Sequence, residues 1–118
     1  MEDLNDSKRK IRVYIADNTD FRNKFLTYFD DKEDFEILGW TDDGQKAVVD
    51  ICSLKPDLVL LECILPNLDG FAVMNKLVEK MGINLPNKCG RSLIIILSHY
   101  NYIIFLIYCQ IKRGTANL

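Results

Sequence analysis

Apolar residues arrive along this chain in short bursts that alternate with stretches spaced at helical intervals. The densest burst is Leu58, Val59, Leu60 and Leu61. Four apolar residues with no polar alternation read as a strand buried on both faces, which is the habit of a parallel sheet. Glu62 follows directly; Pro66, Asn67, Asp69 and Gly70 then supply turn chemistry, with Asp69 placed to cap a helix. Upstream, residues 11–16 predict a β-branched first strand that ends at Asp17 and Asn18. Thr19 or Asp20 can cap a helix in which Phe21, Phe25, Tyr28 and Phe29 recur at helical spacing, an aromatic face that reads as core packing. Residues 35–40 predict a second strand, less buried than the third. The turn at 41–44 offers N-caps for a helix with Ala47, Val48, Ile51 and Leu54 on one face, stopped by Pro56. Phe71, Met74, Leu77, Val78 and Met81 mark a third amphipathic helix. Residues 82–90 are a loop rich in breakers, and residues 93–97 predict a fourth strand closed by Ser98 and His99.

The resulting β-α-β-α-β-α-β order calls for a doubly wound parallel sheet with helices on both faces and right-handed crossovers. It places three polar clusters at strand carboxyl ends: Asp17 with Asn18, Glu62, and Ser98 with His99. With strands one and three as neighbours, in the order 2-1-3-4, these clusters share one rim of the sheet, where open α/β sheets hold their ligands. Two carboxylates beside an amide suit a hard cation such as Mg²⁺, and Ser98 can hydrogen-bond an oxyanion held there. The competing reading makes them ordinary polar loop residues, with Glu62 the first solvated position after a core strand.

Composition narrows the classes. The 118 residues suffice for one domain, and 48% hydrophobic with 27% charged residues is an ordinary globular balance. A net charge of −2 gives no basic field for nucleic acid. The basic cluster Lys8, Arg9, Lys10 and Arg12 reads as a solvated lead-in to the first strand. Cys52, Cys63, Cys89 and Cys109 form no C-x-x-C pair and lie in or beside apolar runs, as expected of reduced near-core residues in a cytoplasmic protein. The charged amino terminus has no signal-peptide pattern.

Several segments, in order and with family-like spacing from about residue 11 to residue 98, resemble the receiver domain of bacterial two-component response regulators. They are Ile15-Ala16-Asp17-Asn18, Gly44-Gln45, Lys55-Pro56-Asp57, Leu60-Leu61-Glu62, Leu65-Pro66-Asn67-Leu68-Asp69-Gly70 and Ile96-Leu97-Ser98. Within that family they are most similar to sporulation regulators of spore-forming Firmicutes. The resemblance implies a flavodoxin-like, receiver-type fold with Mg²⁺ held by Asp17, Asn18, Glu62 and the backbone carbonyl of Ile64. It also implies Glu62 as the phosphoacceptor position, Ser98 as the hydroxyl switch position, and a histidine kinase or phosphotransfer protein as partner. The family has aspartate where this chain has Glu62, and a second acidic residue where it has Asn18. One added methylene moves the carboxylate by roughly 1.5 Å, and in-line phosphoryl transfer tolerates little misplacement. Removing a charge at Asn18 weakens the cation site.

A receiver continues with a helix, a parallel fifth strand ending in Lys-Pro, and a last helix. Here the end is an apolar run at 102–111 with no Lys-Pro, so the expected organisation is a polar lead-in (1–10), a receiver-like core (11–98) and a divergent tail (99–118). Residues 92–111 carry no charge, but Ser98, His99, Asn101 and Gln110 interrupt them, which argues against a membrane span. The tail has three options: an antiparallel hairpin strand, a short covering helix, or exchange with a second molecule. Each leaves apolar surface to cover, so a homodimer through residues 93–111 is expected. The functional expectation is a non-enzymatic, degenerate receiver-like signalling module without direct nucleic-acid binding, its Mg²⁺ site weak or lost. The alternatives are a residual Mg²⁺-dependent phosphoacceptor and a non-functional remnant.

Overall fold

Strand and helix alternate along the chain as β1 (Ile11–Ala16), α1 (Phe21–Asp30), β2 (Phe35–Thr41), α2 (Gly44–Leu54), β3 (Leu58–Glu62), α3 (Gly70–Met81), β4 (Leu93–Ser98) and β5 (Ile103–Tyr108). The computed structural model describes residues 9–81, 93–98 and 103–108. The breaker-rich loop expected at 82–90, His99, Cys89 and Cys109 lie outside them.

The strands form one sheet in the order β2-β1-β3-β4-β5. The first four are parallel, with Val13–Ala16 opposite Leu58–Leu61 and Leu58–Glu62 opposite Leu93–Leu97. This is the doubly wound parallel sheet expected from the alternation. Between β1 and β2 the register slips by one residue, because Val13 faces Ile37 and Tyr14 faces Gly39. β5 then pairs antiparallel with β4 along its whole length, from Ser98 opposite Ile103 to Leu93 opposite Tyr108. Of the three routes open to the tail, the chain takes the hairpin. The short link between the strands admits an antiparallel return, whereas a parallel crossover needs about a dozen residues or more.

The period of two in the strands divides the core. Tyr14, Ala16, Val59, Leu61, Ile94 and Ile96 pack with Ala47, Val48 and Ile51 of α2 and Val73, Met74 and Leu77 of α3. Val13, Ile15 and Leu60 point the other way, toward Phe29 of α1. The two groups put α1 on one face and α2 with α3 on the other.

Two expected apolar faces are trimmed. Of the aromatic stripe of α1, Phe29 is buried, but Phe21 is 38% and Tyr28 55% exposed. The helix meets β1 and β2 through Phe25, Leu26 and Phe29, and four aromatic residues cover more arc than that contact needs. On α3, Phe71 is 42% exposed and Val73, two residues later, takes the core position. Arg12 also departs from the solvated lead-in. Its guanidinium donates to the carbonyls of Leu54 (2.7 Å) and Lys55 (2.8 Å), the open end of α2. Its backbone N–H donates to the Asp57 carboxylate at 2.9 Å. A helix carboxyl end presents unpaired carbonyls and negative partial charge, which a guanidinium satisfies.

Candidate functional site

The rim formed by the carboxyl ends of β1 and β3 carries two buried carboxylates. Ala16 lies opposite Leu61, so the next residues along the two strands are Asp17 and Glu62. Asp17 is fully buried and Glu62 is 1% exposed. Glu62 is therefore not the first solvated residue after the strand: it is the last residue of β3 and part of the packed end of the sheet.

Local chemistry fixes each group. The ladder between β1 and β2 runs one residue past the strand, since the Asp17 N–H donates to the Thr41 carbonyl at 2.9 Å. The Asp17 Oδ1 accepts from the backbone N–H of Thr19 at 2.7 Å and from the Thr19 hydroxyl. The same hydroxyl oxygen accepts from the Phe21 N–H at 3.1 Å, so Thr19 joins the carboxylate to the start of α1. Asp20, the residue at the N-cap, makes no side-chain cap bond. Asn18 is exposed beside them. The Glu62 Oε2 accepts from the backbone N–H of Ile64 at 3.2 Å, which turns the carboxylate onto the loop that follows β3. Ser98 closes β4 one position beyond the Leu97 that faces Glu62. Arg22, at the start of α1, stacks its guanidinium 4.1 Å from the centre of the Trp40 ring and reaches Asp42 at 3.9 Å.

The loop from Cys63 to Asp69 is held at both ends. The Gly70 N–H donates to the Cys63 carbonyl at 2.8 Å. A Cβ on Gly70 would come within 2.6 Å of the Glu62 carbonyl oxygen, so only glycine seats α3 this close to the strand end. Asp69 accepts from the Ala72 N–H at 2.8 Å, the cap expected of it. Farther along, the Pro66 carbonyl accepts from the Gly44 N–H at 3.0 Å. Asn67, with a φ of 69°, donates its side-chain amide to the Asp43 carboxylate. Burial first, then the Glu62 and Asp69 charges, push the Cys63 thiol above its ordinary pKa, which keeps it a protonated neighbour and not a nucleophile.

The donor set is two carboxylates, one amide and a backbone carbonyl. All are hard oxygen donors, and Mg²⁺ accepts such a set when water completes its shell. Among the described residues no three His, Cys, Asp or Glu side chains gather as ligands. Any cation here rests on two carboxylates.

A model of the response regulator receiver domain family matches residues 13–103. The chain belongs to that family. Receiver domains of two-component response regulators generally bind Mg²⁺ at their phosphorylation site. Among curated proteins it is similar to a protein-glutamate methylesterase/protein-glutamine glutaminase of Geobacter sulfurreducens, 33% identical over 72 residues, which are 60% of this chain and 19% of that enzyme. The chain spans about a fifth of the length of the curated relatives it matches. Among solved structures, the response regulator domain of Thermotoga maritima CheB superposes with a TM-score of 0.62 at 27% identity, covering 76% of this receiver and 61% of that chain. A CheX-CheY-BeF3-Mg²⁺ complex from Borrelia burgdorferi gives a TM-score of 0.62 at 26% identity, with coverage of 80% and 66%. Nothing in these matches points to a sporulation regulator in particular. Among the described residues, no helix of the receiver is long and apolar enough to cross a membrane.

The sequence singled out Asp17, Asn18, Glu62, Ile64 and Ser98, and the fold brings the first four to one rim with Ser98 on the neighbouring strand. Sequence reasoning passed over Asp43 and Asn67. The signal was present, since Asp43 lies among the N-cap candidates of 41–44 and Asn67 is the turn residue most tolerant of positive φ.

Proposed function

We propose that this receiver is a signalling module impaired in aspartyl-type phosphorylation, with Glu62 at the phosphoacceptor position. The observation that carries the reading is the seat of Glu62. Its carboxylate is almost wholly buried and bonded to the N–H of its own loop, on a side chain one methylene longer than aspartate. In-line attack on a phosphodonor needs an oxygen held at the mouth of the site, and a longer carboxylate tied to its own loop is poorly placed for it. Asp17, Glu62 and the Ile64 carbonyl would hold Mg²⁺ weakly, with Asn18 contributing as an amide or through water. The ion, when bound, would neutralise the charge of phosphoryl oxygens. The partner class is a histidine kinase or phosphotransfer protein, met by a unit at 11–98 that carries no turnover of its own. Sporulation as the output rests on motif likeness alone, and the esterase activity of the similar enzymes is not carried over.

Incubation with acetyl phosphate and Mg²⁺ followed by intact-mass measurement tests this. The expected result is no phosphoryl adduct on the natural chain and a measurable adduct on Glu62→Asp. A stoichiometric, hydroxylamine-labile adduct on the natural chain would instead make it a residual phosphoacceptor, its γ-carboxylate oxygen displacing acetate from phosphorus. If neither protein is modified and no partner is bound, the remnant reading gains.

A second proposal concerns assembly. β5 is the last strand of the sheet among the described residues, and the run 102–111 contains neither charge nor proline. Uncharged edges recruit other chains, which supports a homodimer through residues 93–111. Light scattering at micromolar concentration should show twice the monomer mass. A monomer throughout, or a dimer that survives deletion of residues 99–118, would sink it.

A further inference from the structure

We propose that Asp43 and Asn67 form a clasp that positions the loop carrying Ile64 and makes the first turn of α2 move with it. The inference deepens the reading of Asp17, Glu62 and Ile64 as the cation site and rests on it.

The clasp uses both oxygens of one carboxylate for different tasks. The Asp43 Oδ1 caps α2, accepting from the N–H of Gln45 at 2.7 Å and of Lys46 at 3.1 Å. The Asp43 Oδ2 accepts from the Asn67 amide, across the gap to the loop after β3. The next residue strengthens the joint, because the Gly44 N–H donates to the Pro66 carbonyl and a Cβ on Gly44 would overlap the Leu68 carbonyl. The turn itself is closed by the Leu68 N–H donating to Pro66 at 2.8 Å, with Asn67 held at positive φ between them.

At its near end the same loop is fixed to Gly70 through Cys63, and Leu65 is sunk into the α2–α3 side of the core. Ile64 stands between these anchors, its N–H on Glu62. A loop pinned on both sides has little slack. A shift of Ile64 toward an ion or a displaced Glu62 carboxylate must be taken up at Pro66–Leu68, and the clasp hands it to α2. The Lys46 N–H, the Asn67 amide and the Gln45 N–H together hold the Asp43 carboxyl below its ordinary pKa, so the clasp stays charged at neutral pH.

Amide hydrogen exchange on the whole chain tests the coupling without any ion. Asn67→Gly removes the amide but keeps positive φ accessible, and it leaves the Asp43 cap in place. Asp43→Ser keeps an N-cap, but its single oxygen serves the helix. In both variants exchange at Ile64, Leu65, Asn67 and Leu68 should quicken about fivefold, the loss of one hydrogen bond. In Asn67→Gly the amides of Gln45 and Lys46 should quicken as well, though their own cap is untouched. A purely local role for Asn67 would not move those two amides. Unchanged exchange at Gln45 and Lys46 in Asn67→Gly overturns the proposal. If Asp43→Ser fails to fold, Asn67→Gly decides alone.

Mg²⁺ titration of the natural chain, followed by NMR shifts of Glu62 and Ile64, tests the underlying site separately. A response there that spreads to Gln45 and Lys46, and is confined to the loop in Asn67→Gly, supports both readings. No response in the natural chain counts against the cation site, and the ion-free exchange comparison still decides the clasp.

Discussion

Tyr14 of β1 donates its hydroxyl to Asp50 of α2 at 2.6 Å, from a side chain that is wholly buried. Lys46 donates to the same carboxylate oxygen at 2.9 Å from the solvent side. The middle of the sheet is thus tied to α2 by a polar bond inside an otherwise apolar contact. Tyr14→Phe should cost about 1–2 kcal/mol, since a charged acceptor loses its buried donor but keeps Lys46 and water. Urea unfolding with an unchanged m-value would report it.

The same pair sets an alkaline limit. Burial first, then the hydrogen bond and charge of Asp50, push the Tyr14 hydroxyl far above its ordinary value of 10.0. The folded state therefore holds this proton more tightly than the unfolded chain does. Its contribution is fully present below about pH 10 and is lost as pH rises beyond that, toward the folded-state value. Stability measured between neutral and strongly alkaline pH should fall less steeply in Tyr14→Phe than in the natural chain.

Glycines separate sharply. Gly44→Ala forces a methyl against the Leu68 carbonyl, and backbone cannot step aside as a side chain can. A loss of about 3 kcal/mol or more is expected. Gly39→Ala meets only the Tyr14 ring, at 3.6 Å, an ordinary contact, and should be close to neutral. Thermal unfolding of the two variants side by side makes the comparison.

Arg12 offers a test of charge against geometry. Its two bonds to the Leu54 and Lys55 carbonyls use the forked guanidinium. Arg12→Lys keeps the charge but loses the fork, so it should recover little of the roughly 1–2 kcal/mol lost in Arg12→Ala. Exchange of the last amides of α2 would localise the effect.

At the acidic rim, Asn18→Asp should raise Mg²⁺ affinity several-fold by restoring a negative charge next to Asp17. Trp40, the single tryptophan, is a convenient reporter, because Arg22 links it to the start of α1 near Asp17. If Asn18→Asp together with Glu62→Asp leaves affinity unchanged, the weakness lies in the carboxyl-terminal part of the domain.

Much of this was legible in the sequence for a physical reason: burial on both faces leaves a parallel strand no polar positions. Leu58–Leu61 announced β3 unambiguously, and βα alternation then brought Asp17 and Glu62 to one rim. What escaped were quantities that depend on fit. The stripe from Phe21 to Phe29 shows that α1 is amphipathic but not how little of it the sheet can cover. Phe71 has helical spacing and is still 42% exposed. The pattern around Arg12 gives a charge and says nothing of the two carbonyls waiting at the end of α2. The apolar tail showed strand propensity, and its short link excluded a parallel return. What stayed open was whether it would pair as a hairpin, cover the sheet as a helix or exchange with a second molecule, because propensity says nothing of the partner.

That direction has a geographic effect. A parallel fifth strand would deliver the chain to the rim where Asp17 and Glu62 lie. β5 runs back instead, so Tyr108 ends level with Leu93, roughly 17 Å from that rim for a six-residue strand. Whatever is joined beyond Tyr108 sets out from the opposite end of the strands, and chemistry at Glu62 would have to be felt along their whole length.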